Sequence, residues 1–255
     1  MSRLRGLLRR LRPLRVRDRP LQLRSTAGYR IVAALHSAEG THRQILPTIL
    51  LCPDVTRPLP ISPPDLIALG CRVMTFSPAG RGQSWGPDDR SGPEQQDNVR
   101  VALRYLAARD DVDAKRLGII TIGEGLAMAT GALADLPSPS PQWLIDIDGV
   151  ADRIPLIDAD HPLDDNHYWQ PREAIHHLPA LRCGYLRLQT HSKDPVPGLR
   201  LLQAASRGQV TWFQINQHPR GTIPTAVPGL PRRTRALKRA ILDAVQRLSE
   251  EEIER

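Results

Sequence analysis

The sequence predicts an α/β domain built on a mostly parallel sheet of about eight strands with helices on both faces. Two observations carry that expectation. Apolar runs of strand length alternate with helix-length segments along most of the chain, and strands separated by helices make parallel sheets whose faces the helices cover. Of the 255 residues, 40% are hydrophobic, enough for one sizeable core; a chain of this length reads as one large domain before two small ones. Only 4% are aromatic, so aliphatic side chains must do most of the packing. The 24 prolines and 18 glycines imply many short loops.

Residues 20–37 read as two strands about a turn at Ala27-Gly28, and 47–52 as a buried strand. A helix over 63–69 starts at a proline pair, where a missing N–H costs least, and Gly70 closes it. A strand follows over 71–77. Residues 93–108 carry a helical stripe at Val99, Leu103 and Leu106. A strand over 116–122 runs into a helix from about Gly123 to Leu136, and 142–148 is the next strand. Residues 150–178 are irregular and rich in Asp and His. Strands over 184–190 and 209–215 flank a helix near 198–206. The last helix, 234–252, places Leu237, Ile241, Val245 and Leu248 on one face. No internal repeat is visible, which argues against a solenoid.

The net charge of +8 belongs to one end of the chain. Residues 1–24 hold nine arginines and one aspartate, so the remainder sums to zero. Basicity confined to a tail argues against nucleic-acid binding by the body. Leu4, Leu7, Leu8 and Leu11 recur at helical spacing among arginines up to Pro13, the pattern of a short basic amphipathic helix. Residues 1–19 are therefore read as a tail and 20–255 as the domain. Two readings of the tail stay open: an anchor on an anionic membrane, a contact with an acidic partner or an organelle transit sequence, or a solvated extension whose leucines pack on the domain. Cys52, Cys71 and Cys183 are odd in number and scattered, without disulfide or zinc spacing. A reducing, cytoplasmic setting is the simpler expectation, with no metal and no other cofactor. No run approaches the roughly 18 apolar residues that span a bilayer, and the N-terminus lacks the apolar core of a secretory signal.

Residues 111–133, DVDAKRLGIITIGEGLAMATGAL, carry a resemblance. They resemble the strand, sharp turn and helix of the α/β-hydrolase superfamily, most closely its dienelactone-hydrolase and prolyl-oligopeptidase-like branches. The resemblance covers the chain from about residue 20 onward. It implies an α/β-hydrolase-like sheet with a short cap or lid insertion at 150–178. It also places Arg116-Leu117-Gly118 at the strand start, Thr121 at the first small position, Gly125 at the last glycine and Gly123 at the nucleophile. The expected G-x-S-x-G thus reads T-I-G-E-G. That nucleophile sits in a strained backbone conformation, which costs ~1–3 kcal/mol in a residue with a Cβ. Glycine relieves the strain and supplies no hydroxyl.

The resemblance distributes further roles. Ser77-Pro78-Ala79-Gly80-Arg81-Gly82-Gln83-Ser84 matches the family's D-x-R-G-x-G-x-S loop at Gly80, Gly82 and Ser84 only. Cys52-Pro53-Asp54 stands where the family has the His-Gly of its oxyanion hole; Pro53 has no N–H to donate, and Asp54 would oppose a developing negative charge. Asp194 falls at the catalytic acid and His218 at the catalytic histidine, though Asp194 also fits an ordinary Asp-Pro turn and His218 a surface loop. Glu124 follows the nucleophile position, so its backbone N–H would face the oxyanion. Cys52 and Ser77, ending neighbouring strands at the same sheet edge, are the candidate substitute nucleophiles or ligand contacts. The Asp- and His-bearing run 158–167 reads as a solvated loop rather than a cation site, lacking the glycine-turned loop of a calcium site. The implied function is that of a hydrolase-like protein with a degenerate triad, non-catalytic or nearly so, binding a small ester or amide ligand or a partner. The alternative is an active ester or peptide hydrolase in which Asp194 and His218 act with water or a substitute nucleophile.

Overall fold

In the computed structural model, residues 14–54, 60–136, 141–153, 164–189, 196–208, 213–217 and 232–250 are described. β1 (Val16–Arg24) and β2 (Arg30–Ala38) form an antiparallel hairpin in which Leu21 faces Ala33 and Arg17 faces Ser37. Gly28 closes it at φ 90°, a left-handed turn conformation that glycine adopts without a Cβ penalty. The strand begins at Val16, so the boundary drawn at 19/20 falls inside β1. Its exposed charged residues hide it: an edge strand needs only backbone pairing on one side, and composition does not report that.

The alternation then runs as predicted. β3 (Leu46–Cys52), β4 (Arg72–Phe76), β5 (Val112–Ile122), β6 (Trp143–Ile147), β7 (Gly184–Gln189) and β8 (Phe213–Gln217) are separated by helices or loops. The eight strands form one sheet in the order β1-β2-β4-β3-β5-β6-β7-β8, and only β2 runs against the others. β5 starts four residues earlier than predicted because Val112 pairs with Leu46 across a register shift. β8 is described over Phe213–Gln217, two residues past the predicted end at 215; the predicted residues 209–212 are outside the described set. Within the expected cap, 150–178, the described part is less irregular than its composition suggests. α4 (Asn166–Trp169) and α5 (Ala174–His177) are single turns there, and the Asp165 side chain accepts the Tyr168 N–H at 3.1 Å to start the first.

Side chains of each strand alternate between two cores. On one face, Leu50, Cys52, Met74, Leu117, Ile119, Leu144 and Tyr185 pack against α2 (Pro93–Ala107), α3 (Gly125–Ala134) and α6 (Val196–Ser206). On the other, Ile49, Leu51, Val73, Ile120, Ile145 and Leu186 pack against α1 (Pro63–Ile67) and α7 (Arg232–Glu250). The Lys238 ammonium lies 2.5 Å from Asp65 and ties α7 to α1. Gly118 is where β5 admits a neighbour: a Cβ there would lie 2.2 Å from the Trp143 ring. The mostly parallel, helix-covered sheet of the sequence reading is therefore the observed architecture. No helix among the described residues is long and apolar enough to cross a membrane.

Candidate functional site at the turn after the fifth strand

Gly123 joins β5 to α3 at φ 53°, a left-handed conformation that costs a residue with a Cβ and suits glycine. Its N–H donates to the Ile147 carbonyl at 3.1 Å, and its own carbonyl accepts from Leu126 and Val150. Gly125, two residues on, permits a close approach. A Cβ there would lie 2.7 Å from the Cys52 carbonyl and 2.8 Å from that of Pro53. The start of α3 thus sits directly on the end of β3.

That approach brings Asp54 to the turn. The Glu124 N–H donates to Asp54 Oδ2 at 3.0 Å, across 70 residues of chain. The sequence reading expected Asp54 to repel charge at this position; the structure has its carboxylate accept the same amide proton. The Glu124 carboxyl is held above the usual range by its burial and then by the Asp54 and Asp88 charges, against the pull of Arg81 and Arg90. Arg81 reaches Glu124 at 3.8 Å while forking onto Asp88 with two bonds of 3.0 Å. Ser91 donates its hydroxyl to the Glu124 carbonyl at 3.1 Å. Three non-glycine residues have positive φ among those described: Arg90, Ser91 and Asp148. Ser91 adjoins the turn through that bond, Arg90 through its charge on Glu124, and Asp148 through its neighbour Ile147, so backbone strain concentrates around Gly123.

Below the turn lies a buried polar cluster. Asp146 on β6 is fully buried; it accepts the Tyr185 hydroxyl at 2.8 Å, the Gly149 N–H at 2.7 Å and Arg187 Nη1 at 2.5 Å. Burial alone would lower the Arg187 guanidinium, but the adjacent Asp146 carboxylate raises it well above its ordinary value, so it is charged. Arg187 also donates to the Gly149 carbonyl at 3.1 Å. The pair therefore clamps the 148–150 segment, whose Val150 N–H bonds Gly123.

The candidate residues fare differently. Gly123 and Glu124 form the turn itself. Cys52 is fully buried in register with Thr121, and burial pushes its thiol well up, so it is a protonated core group. Ser77 is half-buried within its own loop: its carbonyl accepts the Ser84 hydroxyl at 2.6 Å, and its Oγ lies 2.8 Å from where a Gly82 Cβ would stand. Asp194 and His218 lie outside the described residues. Asp146 and Arg187 were not singled out from the sequence. The available signal was one charge in each of two neighbouring apolar strands, which the sheet places directly side by side. Among the described residues there is no group of three or more His, Cys, Asp or Glu suited to a metal ion.

With its sheet order, single reversed strand and sharp turn after β5, the chain has an α/β-hydrolase fold. It resembles prolyl oligopeptidase B from Galerina marginata (TM-score 0.67, 13% identity over 92% of this chain and 36% of that one). It also resembles the acylaminoacyl peptidase of Pyrococcus horikoshii (0.70, 15%, 93% and 43%) and acetyl xylan esterase 1 from Thermoanaerobacterium sp. (0.65, 11%, 92% and 88%). The chain thus spans about two-fifths of either peptidase and most of the esterase. At these identities the likeness is one of fold. No protein-family model and no curated protein matches the sequence.

Proposed function

We propose that the chain is a hydrolase-fold protein with little or no hydrolytic activity, which uses the region around Gly123 to bind a small ester- or amide-bearing ligand or a partner. The observation that carries this reading is the bond from the Glu124 amide to Asp54. By the resemblance, that amide is the donor that would stabilise a developing oxyanion, and it already holds an anionic oxygen of the chain itself. A substrate carbonyl would have to displace a charge-assisted hydrogen bond, typically worth about 1.5–3 kcal/mol. The residue before it supplies no nucleophile, being Gly123. In a serine protease, losing the serine costs on the order of 10⁶ in kcat, and losing an oxyanion donor roughly another 10²–10³. The strained residues and the buried Asp146–Arg187 pair are what such a site needs in order to stay shaped without turning over.

The test is hydrolysis of a panel of p-nitrophenyl esters and aminoacyl p-nitroanilides by the full chain. The expected rate is that of buffer, identical for wild type and His218→Ala. Turnover that His218→Ala abolishes would overturn the proposal and establish the opposing reading, in which Asp194 and His218 activate water or a substitute nucleophile.

A further inference from the structure

A second concave site lies at the opposite, N-terminal edge of the sheet. It is a cavity of about 450 Å³ between β1, β2, the start of β4 and the segment joining α2 to β5. Arg17 and Arg19 are two residues apart on β1 and so project to the same face. Their register partners on β2, Ser37 and Leu35, line the cavity beside them. His42, Arg72, Arg109 and Asp111 complete the charged lining.

The inner part of this site is rigid. Asp111 takes a two-pronged bond from Arg109 at 2.8 and 2.7 Å and a third contact from Arg72 at 3.2 Å. Burial would raise its carboxyl, but the Arg109 bonds and the two guanidinium charges hold it below the usual range, so it stays ionised. Arg72 is 1% exposed and is anchored by further bonds to the carbonyls of Asp111, Thr41 and Gln44. Arg109 is braced by the Tyr105 hydroxyl at 2.9 Å.

The outer part is unmatched. Arg17, Arg19 and His42 are exposed, and their side chains have no ion pair or hydrogen bond among the described residues. Four arginines against one aspartate leave three net positive charges around one cavity, before any proton on His42. Guanidinium groups converging from several elements match a tetrahedral anion, which offers an oxygen to each, better than a planar carboxylate, which one arginine satisfies.

We propose that this cavity binds a phosphate-bearing group, with Arg17, Arg19 and His42 closing on it over the Arg72–Arg109–Asp111 floor. The phosphate belongs either to a soluble phosphorylated molecule or to the headgroup of a lipid.

The probe is pyrophosphate, titrated calorimetrically into the full chain at fixed ionic strength. Saturable binding is expected, weakened at least tenfold in the double variant Arg17→Ala, Arg19→Ala, whose thermal melt should match wild type because both residues are exposed. On the unaltered protein, the backbone amide shifts of Arg17, Ser37 and His42 should move with the titration. Vesicles of phosphatidylcholine containing phosphatidic acid or, separately, phosphatidylserine distinguish the sources. Sedimentation with phosphatidic acid alone, competed by pyrophosphate, assigns a lipid headgroup; pyrophosphate binding without sedimentation assigns a soluble ligand. The proposal is overturned by either of two results: no saturable pyrophosphate binding, or binding indifferent to the double variant.

Discussion

At the C-terminal edge of the sheet, most polar groups around Gly123 are matched from within, Thr121 Oγ1 and Arg81 Nη1 being the buried exceptions among the described residues. The Glu124 amide has Asp54, Arg81 has Asp88, and Asp146 has Arg187, Tyr185 and the Gly149 amide. At the N-terminal edge, Arg72 and Arg109 are matched in the same manner by Asp111, but Arg17, Arg19 and His42 reach solvent with no side-chain partner among the described residues. A buried donor left unmatched costs about 1–3 kcal/mol, so internal matching stabilises the first edge and lowers its demand for a ligand. Exposed cations cost little in water and gain most from an incoming anion. Resemblance to a family of enzymes directs attention to the first edge; the balance of charges directs it to the second.

The contrast breaks most visibly at the buried pair. Arg187→Met leaves the fully buried Asp146 without its cation, and removal of one partner from a buried pair typically costs ~3–5 kcal/mol. Urea unfolding should report a loss of that size, with part of it recovered when Asp146→Asn is added. Near-wild-type stability for Arg187→Met would mean that the cluster does not hold the 148–150 segment. Next in size is Gly125→Ala. Its Cβ meets two backbone carbonyls, which cannot swing aside as a side-chain tip can, so about 1–3 kcal/mol of overpacking is expected, together with displacement of Asp54 from Glu124. Gly123→Ser should cost ~1–2 kcal/mol, the usual penalty for a residue with a Cβ in the left-handed region. An unchanged melting temperature would contradict the turn assignment. At the other edge, Arg17→Ala and Arg19→Ala together should move stability by no more than about 0.5 kcal/mol, as surface changes do.

The sequence made the fold legible wherever an element is buried. The buried part of β5, Leu117–Ile122, could be read up to the Gly123 turn, because a central strand covered on both faces is apolar; its start, Val112–Lys115, carries partly exposed charges and could not. β1 was misplaced by four residues because its first part, Val16–Pro20, is largely charged and exposed; its evidence lies in its pairing with β2. The same misplacement assigned Arg17 and Arg19 to a tail and concealed the cationic cavity. Asp146 and Arg187 are each an isolated charge in an apolar strand, and nothing local tells which strands lie side by side. Asp54 was placed near the turn as a charge opposing an oxyanion, but its bond from the Glu124 amide could not be read, because it depends on the close approach that the absence of a side chain on Gly125 permits.

The smallest expected effect tests whether Asp54 and Glu124 share one electrostatic site. Glu124 holds its proton more tightly in the folded chain than an ordinary glutamate does, chiefly through burial and secondly through Asp54. The folded state therefore binds more protons than the unfolded state between the ordinary glutamate range and the raised folded value. Stability falls as pH rises through that window and stays lower above it. Glu124→Gln removes the titration, so its stability should equal or trail wild type below the window and gain on it above. Asp54→Asn removes one of the two leading causes, so the wild-type fall should shrink while Glu124 remains. Paired unfolding curves across pH 4 to 8 measure both. A fall in stability that survives Glu124→Gln unchanged would assign it to another carboxylate; one that Asp54→Asn leaves untouched would separate the two groups and weaken the case that the chain's own carboxylate fills the place of a substrate oxygen.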